Sequence, residues 1–192
     1  MLNKDFWEER YKEQNTGWDI GAISTPLKTY IDQLNHKDLK ILIPGAGYGH
    51  EAMYLHQNGF INVWVIDIAA QPLAHLVSKG FPKEKLLHNN FFELKDLKFD
   101  LILEQTFFCA LHPNLREDYV VQMQQLLKPT GKLVGLFFGV VFEKEGPPFG
   151  GIEEEYVNLF KKHFNLKLLA PAYNSIKPRA GKELFFIFEP LI

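Results

Sequence analysis

The chain has 192 residues, 46% of them hydrophobic and 23% charged, with a formal net charge of −2. This composition supports one globular core and leaves no room for a separate substrate domain. Scattered Lys and Arg exclude a phosphate-tracking nucleic-acid face, and no apolar run approaches the roughly 20 residues of a membrane span. A lone cysteine, Cys109, excludes an intrachain disulfide and a cysteine-cluster metal site, and no two of the seven histidines stand three or four residues apart. The first residues lack the apolar core of a signal peptide. A cytoplasmic, metal-free protein is expected.

Residues 5–14 read as an aromatic amphipathic helix with Phe6, Trp7 and Tyr11 close to one face. A turn at Asn15-Thr16-Gly17 leads into Trp18-Asp19-Ile20-Gly21. Thr25-Pro26 then predicts a second helix, with a hydroxyl cap followed by proline at the first helical position. From Leu39 onward strands are predicted at 40–43, 62–66, 85–88, 99–104 and 132–138, and helices at 50–58, 71–78 and 115–127. Apolar runs alternating with helices indicate a parallel sheet covered on both faces. The last third opens with a loop at 141–151, which contains Gly146-Pro147-Pro148-Phe149-Gly150-Gly151. A helix at 153–163 and strands at 166–170 and 183–189 follow, and the 174–181 connection is too long for a tight hairpin turn.

The first parallel strand runs into Pro44-Gly45-Ala46-Gly47-Tyr48-Gly49-His50-Glu51, and Asp67 ends the second strand twenty residues beyond Gly47. Glycines let backbone approach a ligand, and a carboxylate at that distance accepts hydrogen bonds from ribose hydroxyls. The spacing is Gly-x-Gly-x-Gly and not the Gly-x-Gly-x-x-Gly that cradles a pyrophosphate. It favours an adenosine cofactor without phosphate, namely S-adenosylmethionine. Gly45, Gly47 and Gly49 would then pass close to its methionine part, with Asp67 on the ribose and Ile68 beside the adenine. Asn90 and Phe91, within Asn89-Asn90-Phe91-Phe92, suit the adenine edge and face, and Glu104 or Gln105 would meet the amino-acid part. Each piece alone has a plainer explanation: a tight connection, a helix cap, turn-forming asparagines. Their arrival at four successive strand ends is what points to a site. A nicotinamide-dependent dehydrogenase and a non-catalytic S-adenosylmethionine-binding domain stand as alternatives.

These residues together resemble the thiopurine methyltransferase-like group of S-adenosylmethionine-dependent enzymes over nearly the whole chain. The likeness is carried by Trp7 with Tyr11, by Gly17-Trp18-Asp19-Ile20-Gly21, and by Ile43-Pro44-Gly45-Ala46-Gly47. It continues through Val65-Ile66-Asp67-Ile68, Phe107-Phe108-Cys109-Ala110-Leu111-His112-Pro113 and Leu126-Leu127-Lys128-Pro129-Thr130-Gly131-Lys132-Leu133. Gly146-Pro147-Pro148-Phe149 resembles the halide/thiol methyltransferase branch in particular. The resemblance implies an α/β, Rossmann-like class I methyltransferase fold. Its seven-stranded sheet is mostly parallel with an antiparallel last strand, and helices cover both faces. Residues 1–36 would form an aromatic cover over a core of 37–192. It further implies that Trp7, Tyr11 and Trp18 enclose S-adenosylmethionine, with Gly45, Asp67, Asn90, Phe91 and Gln105 in contact with it. Ala46 stands where many members have cysteine, and Asn90 where the plant halide enzymes have aspartate. Gln105 replaces their tyrosine and the arginine of thiopurine enzymes, at a position bordering the acceptor site.

The implied acceptor is a small soft nucleophile: a halide, bisulfide, thiocyanate, thiol or thiopurine. A thiol of pKa about 8.5 is already a few per cent ionised at neutral pH, so no obligatory general base is expected. His112 is weighed as a base against a capping role, and Cys109 reads as a buried packing residue. Trp18, Gln105, Phe149 and Arg179 are the candidate substrate-binding residues, with 146–151 as a lid and Arg179 as an attractor of anions. A solvated loop position is the plainer reading of Arg179. The expected partner is a small-molecule acceptor, with no nucleic acid and no membrane; the sequence does not state the oligomeric state, and a monomer is favoured.

Overall fold

A computed structural model describes residues 2–144 and 146–192. Helices α1 (Lys4–Lys12) and α2 (Thr25–Ile31) precede a sheet whose first strand, β1 (Ile41–Pro44), is buried at all four positions. The elements that follow are α3 (His50–Gln57), β2 (Val63–Asp67), α4 (Ala70–Ser78), β3 (Leu86–His88), β4 (Phe99–Gln105), α5 (Arg116–Leu126) and β5 (Leu127–Phe138), with a short turn in place of a helix between β3 and β4. Then come α6 (Glu153–Phe160), β6 (Phe164–Pro171) and β7 (Glu183–Pro190).

The strands order as β3-β2-β1-β4-β5-β7-β6 in one seven-stranded sheet. Pairings from β3 through β5 are parallel, and β7 inserts antiparallel between β5 and β6. The antiparallel last strand agrees with the fold expected from the sequence. Burial on both faces explains the apolar runs of β1, of β2 up to Asp67, and of Leu101–Leu103 in β4. One face packs an aromatic core of Phe108, Tyr119, Phe137, Tyr156, Phe160, Phe186 and Phe188, in which Phe137 stacks on Phe186 at 4.0 Å. The other packs aliphatic residues, among them Leu27, Ile31, Leu55, Val65, Leu76 and Leu103. Strand order turns back between β1 and β4, and in such sheets ligands collect at the carboxyl ends flanking that point.

Two element boundaries differ from those the sequence predicts. The second helix begins at Thr25 itself, with Ser24 as its cap residue, because the Thr25 hydroxyl is turned to the Asn174 carbonyl instead. Strand β5 starts at Leu127 and not at Lys132. Leu127 pairs with Phe99 while Lys132 pairs with Leu101, so the intervening turn bulges out of one continuous strand. The Lys128 ammonium ties that bulge to Asp100 at 2.8 Å, and Asp100 also accepts the Lys40 N–H at 2.9 Å.

Candidate active site

A cavity of about 830 Å³ opens at the carboxyl ends of β1, β2, β3 and β4, beneath α1 and residues 17–22. Its floor is the turn from β1 to α3. Gly45 has φ +64°, and a Cβ there would stand 2.5 Å from the Phe107 ring, so glycine serves both the backbone and the packing of that ring. Gly47 has φ +53° and lies under the Trp18 indole, whose Nε1 would be 3.7 Å from an added Cβ.

The roof is aromatic. Trp18 meets Trp7 edge-on at 5.6 Å and Tyr11 at 5.5 Å, and Tyr11 reaches Tyr48 at 6.0 Å. Burial first, and the nearby Asp67 charge second, push the Tyr11 phenol well above its ordinary range, so it stays neutral. The roof is pinned by polar ties: Asp19 Oδ1 lies 2.8 Å from His50 Nε2 and accepts the Gly21 N–H at 2.9 Å. The Ser24 N–H donates to buried Glu51 at 3.1 Å.

Asp67 is 8% exposed and lines the cavity. Burial raises its carboxyl to about 6, against the opposing pull of the Ala69, Ala46, Ile68 and Gly47 N–H groups. Its Oδ1 accepts the Ala69 N–H at 2.8 Å, so it braces the entry to α4 while facing the cavity. Ile68, Asn90 and Phe91 line the same end. Asn90 Oδ1 accepts the Phe92 N–H at 3.1 Å, and Phe91 packs edge-on to Phe107 at 5.1 Å.

At the end of β4 the pleat separates two neighbours. Gln105 lines the cavity, and its Oε1 is buried with no hydrogen-bond partner. Glu104 points the other way, fully buried, and does not line the cavity. It accepts the N–H groups of Phe107 at 2.7 Å and Phe108 at 3.0 Å, and the Tyr119 hydroxyl at 2.6 Å. Burial still lifts its carboxyl to about 7. Of the two residues considered at this strand end, Glu104 therefore shapes the turn, in which Thr106 takes φ +59°, and Gln105 faces the ligand space.

The predicted site residues thus converge, except for Glu104, Phe149 and Gly49, which at φ +72° caps α3 against Leu76, whose side chain an added Cβ would overlap, outside the lining. Trp7, Tyr11, Trp18, Gly45, Gly47, Asp67, Ile68, Asn90, Phe91, Gln105 and Arg179 all line the cavity. Phe149 does not: its ring packs on His112 at 5.6 Å and its N–H donates to the Cys109 carbonyl at 2.7 Å. Pro147 and Pro148 bring that loop to the cavity instead. Arg179 is 9% exposed and not a solvated loop residue. His112 caps a short turn through the Asn114 N–H at 3.3 Å and is not part of the lining. Cys109 is buried, and burial holds its thiol far above the ordinary range. Tyr48 and Glu51 line the cavity without having been singled out in the sequence. Their signal was their place inside the glycine turn and the first turn of α3. Among the described residues no helix is long and apolar enough to cross a membrane, and no group of three or more His, Cys, Asp or Glu is placed to hold a metal ion.

The thiopurine S-methyltransferase family model matches residues 2–184. The chain belongs to that family. It is a methyltransferase that uses S-adenosylmethionine. Among its relatives, a probable thiol methyltransferase 2 from Arabidopsis thaliana is 28% identical over 92% of this chain and 81% of its own length. Thiocyanate methyltransferase 1 from Brassica oleracea is 29% identical with the same coverage, 92% and 81%. In fold, the family member is similar to 1,6-didemethyltoxoflavin-N1-methyltransferase from Burkholderia thailandensis. That structure, solved with 1,6-didemethyltoxoflavin and S-adenosylhomocysteine, has a TM-score of 0.77 at 18% identity and covers 97% of this chain and 86% of its own.

Proposed function

We propose that this methyltransferase moves the methyl group of S-adenosylmethionine to a small soft nucleophile such as a thiol, bisulfide, thiocyanate, thiopurine or halide, by in-line displacement. The donor fits the residues present. The glycine turn leaves bare backbone at the floor, Asp67 offers an acceptor to a ribose diol, and the orphaned Gln105 oxygen awaits a donor. Bound there, S-adenosylmethionine supplies an electrophilic methyl group on a positively charged sulfur. The rings of Trp7, Tyr11 and Trp18 would wall that charge from water, with about 0.5–2 kcal/mol per favourable ring. Such attraction favours the ground state, so the acceleration rests on positioning, which spares an orientation cost of about 7–11 kcal/mol.

The observation that carries the acceptor class is the other half of the lining. Among the described residues, its lining from Gln105 to Pro148 holds Thr106, Phe107, Cys109, Leu111, Phe138 and Pro147 among others, and no carboxylate or imidazole, while Asp19, His50, Glu51 and Asp67 line the part under the roof and the glycine turn. The one thiol there is held protonated by burial. A hydroxyl or amine acceptor would need a base at that wall, whereas a soft anion arrives ready to react. The thiol and thiocyanate methyltransferases among the relatives support the same class.

The test is release of S-adenosylhomocysteine with iodide, thiocyanate, bisulfide, an aryl thiol and a thiopurine, against alcohols and amines. Turnover confined to the first group is expected. Turnover only with alcohols or amines, or calorimetric binding of the donor with no turnover on any acceptor, would contradict the proposal.

A further inference from the structure

The connection from β6 to β7 carries a buried charge that methyl transfer leaves unused. Arg179 is 9% exposed and sits 161 residues from Trp18 in sequence. Its Nη2 donates to the Trp18 carbonyl at 2.7 Å, and its Nη1 to Glu183 Oε1 at 3.2 Å. The guanidinium lies over the Phe138 ring, 5.6 Å from its centroid. Glu183 is itself 4% exposed and opens β7. One fork of the guanidinium is thus fixed to the sheet and the other to the roof, with the plane set by an aromatic ring.

This arrangement suits holding better than attracting. A guanidinium neutralised by a buried carboxylate has little net field left for an anionic acceptor. Its rigid planar fork can serve two acceptors at a fixed separation, which an ammonium on a flexible stem cannot reproduce. The group it holds is the main chain of the residue whose indole covers Gly47 and meets Trp7 and Tyr11. The neighbouring ties, Asp19 to His50 and Ser24 to Glu51, fasten the same segment to α3. Among the described residues, the hydrogen bond from Arg179 fastens Trp18 itself to the C-terminal part of the chain, as Asn174 does Thr25 and Thr29.

We propose that Arg179 is a positioning residue for Trp18, a latch that keeps the aromatic roof formed over the cofactor half of the cavity, and not a ligand of the methyl acceptor. The effect on cofactor binding rests on the reading that S-adenosylmethionine lies under that roof; the latch itself does not.

Two measurements on Arg179→Lys and Glu183→Gln separate these parts. Hydrogen exchange of residues 17–24 in the ligand-free protein reads the latch alone. Faster exchange is expected in both variants, at a temperature where circular dichroism shows them folded. Calorimetry with S-adenosylmethionine should give a dissociation constant raised about tenfold in Arg179→Lys and less in Glu183→Gln. Acceptor Michaelis constants should stay unchanged for anionic and neutral acceptors alike. Unchanged exchange of residues 17–24 would overturn the latch, and so would a raised Michaelis constant for anionic acceptors alone. Faster exchange with unaltered cofactor affinity would keep the latch and overturn the placement of the cofactor beneath it. Should Arg179→Lys fail to fold, Glu183→Gln retains the guanidinium and carries both readouts.

Discussion

At Asp67 folding and binding pull in opposite directions. Burial raises its carboxyl from 3.8 to about 6, so the ligand-free folded protein holds this proton more tightly than the unfolded chain. The resulting stability is fully present below about pH 4 and is lost as pH rises through about 6, a difference of about 3 kcal/mol. Asp67→Asn should therefore stabilise the ligand-free protein near neutral pH by up to about 3 kcal/mol in a denaturant titration. It should also weaken S-adenosylmethionine at least tenfold by calorimetry. On the proposed placement of the ribose at Asp67, wild-type affinity should drop as pH falls below about 6, where the carboxylate is protonated, and the variant should lose that dependence. Unchanged affinity in Asp67→Asn would remove the residue from the ribose. Asp67 was legible because strand-end spacing is written in sequence. Glu51 was not, since an acid in a first helical turn is ordinary and its burial comes from the Ser24 segment folding over it.

The turn after β4 shows what one element can hide. Alternation along a strand sends Glu104 and Gln105 to opposite sides, and sequence alone left both as ligands of the amino-acid part. The structure gives Glu104 three donors to satisfy. Glu104→Ala would leave two N–H groups and a hydroxyl without an acceptor, at about 1–3 kcal/mol each. A loss of at least about 3 kcal/mol in urea unfolding is expected, with a fall in turnover as Thr106 and Gln105 lose their support. Glu104→Gln keeps an acceptor oxygen and should cost much less. By contrast, Phe137→Ala empties the aromatic core below the sheet, where Phe137 stacks on Phe186 at 4.0 Å. It should cost about 3–5 kcal/mol of stability while leaving cofactor affinity unchanged in the folded protein. A changed affinity would show that core and cavity are coupled. Strands and helices were readable from apolar periodicity, and their ends were less so. The Leu127 pairing that lengthens β5 and the Thr25 hydroxyl bond to Asn174 are both made by partners remote in sequence.

In the whole molecule, the parallel order and the antiparallel β7 place the candidate groups around one cavity, apart from Gly49, Glu104, His112 and Phe149. The glycine turn, Asp67, Asn90 and Gln105 were legible because each ends a predicted strand. The cover residues followed from resemblance, since nothing in a helix of mixed polarity states what it lies against. Phe149 was misplaced because Pro147 and Pro148, and not the ring, turn toward the cavity. The contact between Arg179 and Trp18 joins the two ends of the chain and has no local signature.

The central claim is methyl transfer by positioning, without a protein base. Its most direct test is the turnover number with an acceptor that does not titrate, such as thiocyanate, at saturating S-adenosylmethionine between about pH 7.5 and 9. The account predicts a flat profile, whereas a thiol acceptor should track its own ionisation near pKa about 8.5. A profile with thiocyanate that bends at a single ionisation would place a titrating protein group in the transfer step and contradict the account.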